Sequence, residues 1–286
     1  MTYSTLSRKT KIFVIFVGLY LFLSILYLLT LNYVNNQLSA RTVSGIYNQC
    51  HKIWATRGLV TEGDLRHTSS GNSIKTVQRA FSSGAKGSEI DVFFDPKLNQ
   101  YIVSHNFPYR LKEGKLLSLQ ELLNEIGSEY YIWLDLKKLG HLTTNEVEAG
   151  VARLQEISKL TDNKDKLYIE GEDPFNLGIY RDAGFNTIFD PQPLVEGSWG
   201  SSFVMNVYKL AYYFGDFSVL AMNFEKRGIP IYGENAELAL RNVPLFIYHV
   251  PDKVPILERL SAISNIRVVL NTDQSANRFD LNSCDR

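Results

Sequence analysis

Three short apolar runs, Ser88–Phe94, Tyr130–Lys137 and Lys166–Glu170, carry carboxylates at alternate positions. In an extended strand every second side chain falls on the same face. If Ile90, Val92 and Phe94 face one way, Glu89 and Asp91 together face the other. The same parity groups Trp133, Asp135 and Lys137 in the second run, and Tyr168, Glu170 and Glu172 in the third. Carboxylates gathered at one place repel and are costly to bury unless a cation compensates them. Oxygen donors alone point to Mg²⁺ or Ca²⁺ rather than zinc. The other reading of the pattern is an ion-pair network with Arg57 and Lys137.

Placing these side chains together requires neighbouring strands. Strands are expected at His51–Arg57, Ser88–Phe94, Tyr130–Lys137, Lys166–Glu170, Thr187–Asp190, Ser218–Asn223, Pro244–Tyr248 and Ile266–Asn271. Amphipathic helices alternate with them. One has Asn72 or Ser73 as its cap, Ile74, Val77 and Phe81 as its apolar face, and Gly84 as its stop. Leu117–Ile126 and Val254–Ile263 repeat the pattern. Eight strands in about 235 residues predict an α/β fold, a (β/α)₈ TIM barrel over residues 50–286.

Residues 12–34 read IFVIFVGLYLFLSILYLLTLNYV, without a charge. Roughly 20 apolar residues cross a hydrocarbon core, whereas a signal peptide has an apolar core of about 7–15. A single transmembrane helix is the expectation, with a polar tether over residues 35–49. Arg8, Lys9 and Lys11 precede the span and only Arg41 closely follows it. The positive-inside rule therefore leaves residues 1–11 in the cytoplasm and sends the barrel across the membrane. No Asn-x-Ser/Thr acceptor follows the span, which favours a bacterial periplasm.

The 286 residues carry 30 basic and 30 acidic side chains, and 45% are apolar. Disorder and a basic nucleic-acid footprint are both excluded by these values. Removing the three leading basic residues leaves 27 against 30 beyond the membrane. Two cysteines, Cys50 and Cys284, exclude a disulfide scaffold or a Cys-rich zinc fold. They bracket the barrel and could pair at its closing face in an oxidising compartment.

Trp54-Ala55-Thr56-Arg57-Gly58, Gly84-Ala85-x-x-x-Glu89-x-Asp91-Val92, Ser104-His105-Asn106 and Leu134-Asp135-Leu136-Lys137 occur in that order. Together they resemble the glycerophosphodiester phosphodiesterase family. Ile247-Tyr248-His249-Val250 and Val268-Val269-Leu270-Asn271-Thr272-Asp273 extend the resemblance loosely to the end. It implies a TIM barrel that hydrolyses phosphodiesters of glycerol or lipid head groups with one divalent cation. Glu89, Asp91 and Asp135 would be the metal ligands. The family more often has Glu at the third position, and Asp-x-Lys is similar to the related spider-type sphingomyelinase D enzymes. Arg57 and Lys137 would hold the phosphate and offset its developing charge. His105 would be the general acid or base, because imidazole titrates near neutrality. Glu170, Glu172 and Tyr248 are further candidates for binding substrate.

The chain departs from the family at Thr56, where His-Arg-Gly would place a first catalytic histidine. Threonine does not exchange protons near neutral pH without an activating base. The Glu-Asn-Thr that follows in the family is here Gly71-Asn72-Ser73. His67, on the loop leaving the first strand, is a candidate replacement. His51 lies at the strand's other end. An inactive barrel that binds lipid head groups or a protein partner is the alternative function. A glycoside hydrolase using Glu170 and Glu172 is disfavoured, since residues two apart on one strand do not straddle a scissile bond. The aromatic stretch Ser202–Phe217 reads as a helix on the barrel or as a hydrophobic flap, with Trp199 in the loop before it.

Overall fold

A computed structural model describes residues 7–41, 45–61, 64, 71–112, 114–192, 194–271 and 278–281. His67 and Cys284 lie outside the described residues. The chain forms two units, residues 1–42 and 43–286.

The first unit is a helix, Arg8–Ala40, capped by Ser7, whose side chain accepts the Thr10 N–H at 3.2 Å. It is long and apolar enough to cross a membrane, with a mean hydropathy of 2.7 over an 18-residue stretch. The helix runs past residue 34, through the beginning of the expected tether. Asn35–Ala40 contains no glycine or proline to end it, and Ser39 Oγ donates to the Asn35 carbonyl at 2.8 Å.

The second unit is an eight-stranded parallel barrel. Its strands are β1 (Ile53–Thr56), β2 (Gly87–Asp95), β4 (Tyr131–Leu136), β5 (Leu167–Gly171), β6 (Asn186–Phe189), β7 (Val219–Asn223), β10 (Leu245–Val250) and β11 (Ile266–Asn271). They pair in chain order, and the β1–β2 and β1–β11 ladders close the ring. Each coincides with an expected strand to within about two residues. Three further strands escaped the sequence reading. β3 (Gln100–Val103) folds back antiparallel on β2, and β8 (Glu225–Lys226) pairs with β9 (Ile229–Pro230). β8 and β9, of two residues each, are too short for a period to show.

Helices fill the connections as their caps dictate. Ser73, not Asn72, caps Ile74–Ser82 in a reciprocal capping box with Thr76. Ser118 caps Leu119–Ile126 by accepting the Glu121 N–H. Ser201–Phe214 is the aromatic helix, with Met205 and Tyr212 buried and Phe203 and Phe214 exposed.

Inside the ring, Trp54, Trp133, Tyr168, Ile188, Ala221, Phe246 and Val268 fill the barrel. Gly87 makes room for Trp54, because a Cβ there would lie 2.4 Å from the indole. Tyr47 packs against Trp54 and Tyr131, and its N–H donates to the Tyr168 hydroxyl at 2.8 Å. The end of the expected tether is thus part of the barrel core. Cys50 is disulfide-bonded.

Candidate active site

A cavity of about 850 Å³ opens at the C-terminal ends of the strands. This is the end at which TIM barrels carry their chemistry, because the loops that follow the strands converge there. Thr56, Arg57, Glu89, His105, Asp135, Lys137, Glu170, Glu172 and Tyr248 all line it. Strand parity and register therefore bring residues of five different strands to one place.

Asp91 is the organising group. It is fully buried, on the inner side of β2. Asn72 Nδ2 donates to its Oδ2 at 2.6 Å, while its own backbone N–H donates to Asn72 Oδ1 at 3.0 Å. Lys137 Nζ lies 2.7 Å from Oδ1, and His105 Nδ1 bonds the same oxygen at 3.1 Å. Arg57 Nε is 2.7 Å from Oδ2, as an ionic contact rather than an aligned hydrogen bond. Burial alone would raise its pKa. His105, Lys137 and Arg57 outweigh burial and hold the carboxyl well below the usual range.

The turn after β1 makes this possible. Arg57 adopts a left-handed backbone (φ 60°), and its carbonyl accepts the Asn72 N–H at 2.9 Å. Gly58 follows with φ 78°, and a Cβ there would sit 2.5 Å from the Thr76 carbonyl carbon. The Arg-Gly pair thus lets the loop pass against the N-terminus of the next helix.

Glu89, Asp91 and Asp135 each offer an oxygen within 4.8 Å of the others. Glu89 is 5% exposed, and its Oε2 is buried without a hydrogen-bond partner. Burial first, and then Asp91, push its pKa up. Lys137 bonds Asp135 as well as Asp91. An orphaned buried carboxylate oxygen beside two more carboxylates fits a divalent cation bound by oxygen. The expected ion-pair network is also present, since Arg57 and Lys137 both touch Asp91. The two readings thus describe one cluster.

A second acidic group lies across the cavity. Trp133 Nε1 donates to Glu170, and the Tyr248 hydroxyl donates to Asp190 at 3.1 Å. Burial pushes the Asp190 carboxyl up to about 7. The folded state then holds a proton that the unfolded chain releases near pH 4. The resulting stability is complete below about pH 4 and is lost as pH rises through about 7. In chelator, the melting temperature should fall between pH 5 and pH 8, and Asp190→Asn should flatten that fall. Parallel melting curves for both proteins would contradict this.

Asp190, Asn72 and His249 were missed as site residues. Asp190 had a signal, because it alternates with inward Ile188 at the end of an expected strand. Asn72 had one only as a helix cap. Thr56, at the position of the missing histidine, donates its hydroxyl to the Asn271 carbonyl at 3.0 Å. His51 belongs to the opposite end, where its carbonyl accepts the Tyr47 hydroxyl at 3.1 Å. No residue of Ser201–Phe214 lines the cavity, whereas Phe175 does, at 86% exposure.

Solved structures share this architecture. A glycerophosphodiester phosphodiesterase from Thermotoga maritima superposes with a TM-score of 0.54 over 78% of this chain and 94% of its own, at 17% identity. Another, from Parabacteroides distasonis, gives 0.55 over 79% and 95%, at 16% identity. The fold is that of the glycerophosphodiester phosphodiesterases. No protein-family model and no curated sequence matches the chain. The likeness is therefore one of three-dimensional fold.

Proposed function

We propose that the chain is a membrane-anchored, metal-dependent phosphodiester hydrolase acting on glycerophosphodiesters or phospholipid head groups in lipid metabolism. The observation that carries this reading is the convergence of the cavity residues Glu89, Asp135, Arg57, Lys137 and His105 around the buried Asp91 in the phosphodiesterase fold. Glu89, Asp91 and Asp135 would hold one Mg²⁺ or Ca²⁺. Such a cation neutralises phosphate oxygens and makes phosphorus more electrophilic. Arg57 and Lys137 hold the anionic phosphate and meet the charge that grows on it. His105, oriented through Nδ1 by Asp91, leaves Nε2 to exchange a proton with a substrate oxygen. Glu170, Glu172 and Tyr248 contact the head group.

The helix Arg8–Ala40 anchors the protein, with Arg8, Lys9 and Lys11 on the cytoplasmic side and the barrel outside. The Cys50 disulfide fits an oxidising compartment. Thr56, bonded to Asn271, favours a second reading in which the barrel binds head groups without turnover.

Assaying the full chain in detergent with glycerophosphoethanolamine separates the two. Release of ethanolamine or glycerol phosphate in Mg²⁺ or Ca²⁺, stopped by EDTA, is the expected result. Binding without release would favour the second reading.

A further inference from the structure

Phosphodiester hydrolysis with an alkoxide leaving group needs two proton transfers, one from the attacking hydroxyl and one to the departing oxygen. His105 supplies one titratable group at the cavity, and Thr56 supplies none. Of the four histidines among the described residues, His105, His141 and His249 line the cavity. His141 lies on a short 3₁₀ turn, Leu139–His141, outside the barrel strands.

His249 is placed there by a local break in a strand. Phe246 points into the barrel and Tyr248 follows it by parity, so a regular β10 would send His249 outwards. The β10–β11 ladder instead shifts register after Ile247 and resumes at Val250–Asn271. Within the irregularity His249 takes a left-handed backbone (φ 55°), and its ring meets Tyr248 edge-on at 4.9 Å. Bulges of this kind re-aim side chains, and non-glycine residues held at positive φ gather at functional sites. Tyr248 and His249, adjacent in sequence, consequently line the same cavity. β10 stands three places round the barrel from β2, with Arg57's strand between them.

We propose that His249 is the second catalytic imidazole of this site and acts as the general base opposite His105. This rests on the phosphodiesterase reading above. The imidazole takes the proton of an attacking water. The water oxygen bonds to phosphorus, and the electron pair of the breaking P–O bond goes to the departing alkoxide, which His105 protonates. The products are a phosphomonoester and an alcohol, and proton return from His249 to His105 through solvent closes the cycle. Burial first, and then the charges of Arg57, Lys137 and Lys226, hold His249 below the ordinary histidine range. That direction favours the neutral ring, the form able to accept a proton.

Two probes test this in Mg²⁺: glycerophosphoethanolamine, whose alkoxide must be protonated, and bis(p-nitrophenyl) phosphate, whose phenolate leaves without a proton. His249→Asn keeps a residue type that tolerates positive φ, so its effect reports the imidazole rather than the backbone. It should lower kcat/KM about 100-fold or more on both probes and remove the acid limb of the pH profile. Added imidazole should partly restore His249→Ala. His105→Asn should lose the alkyl ester far more than the aryl ester. Near-normal turnover by His249→Asn overturns the proposal, as does a loss confined to the alkyl ester. An abolition of turnover by His67→Ala alone, or His141→Ala alone, with His249→Asn active also overturns it. A wild-type chain inactive on both probes overturns the phosphodiesterase reading and this proposal with it.

Discussion

Glu89→Gln should reduce phosphodiester turnover by about 10³-fold or more while raising the melting temperature in chelator. The two effects have one cause. Glu89 is buried beside Asp91, and its Oε2 has no hydrogen-bond partner. Without a cation its negative charge is unfavourable, and burial and Asp91 push its pKa up. Glutamine fills the same volume without the charge, so the unliganded fold gains. On the proposed function the same change removes one of three anionic ligands, and the stabilisation of the phosphoryl transition state falls with it. Calorimetry in EDTA and in Mg²⁺ checks both halves. Wild-type protein should gain melting temperature on adding the cation, as any ligand of the native state requires, and Glu89→Gln should gain little. A variant that remains active and still responds to Mg²⁺ would show that Glu89 is not a ligand.

The largest effect on folding is expected at Trp133. This side chain is 1% exposed in the centre of the barrel, with Phe246 at 5.2 Å between ring centroids. Its Nε1 also donates to Glu170, which lies at the floor of the cavity. Trp133→Ala should cost about 3–5 kcal/mol, from lost burial and the void left behind. For a barrel of this size that corresponds to roughly 6–20 °C in melting temperature. Trp133→Phe keeps most of the packing but leaves the Glu170 carboxyl without its donor, at about 1–3 kcal/mol. Chemical denaturation resolves the pair, and a cost below about 1 kcal/mol for Trp133→Ala would contradict the packing described here.

Much of the carboxylate side of the cavity was legible because a strand has a period of two. Once Ile90 and Val92 face the helices, Glu89 and Asp91 must face the axis, and neighbouring strands repeat the rule at Asp135 and Glu170. The eight strands were legible for the same reason, each being long enough to show a burial pattern. β8 and β9 were not, because two residues carry no period, and β3, an antiparallel return on β2, lies outside the strand–helix alternation. Both ends of the expected tether are structured, because polarity is not the absence of structure. Asn35–Ala40 has nothing to stop a helix, and Tyr47 is drawn into the barrel by the aromatic rings it meets there.

The barrel, the apolar N-terminal helix and the types of residue at the strand ends are written in the sequence, since local period and composition record them. Tertiary structure alone decided which groups share a proton or a charge. Asn72 reaches Asp91 because the left-handed turn at Arg57 folds its loop back, and neither residue announces the other in sequence. Thr56 meets the Asn271 carbonyl because β1 and β11 close the ring. His249 enters the cavity because β10 breaks its own alternation, a departure from period that no reading based on period can foresee.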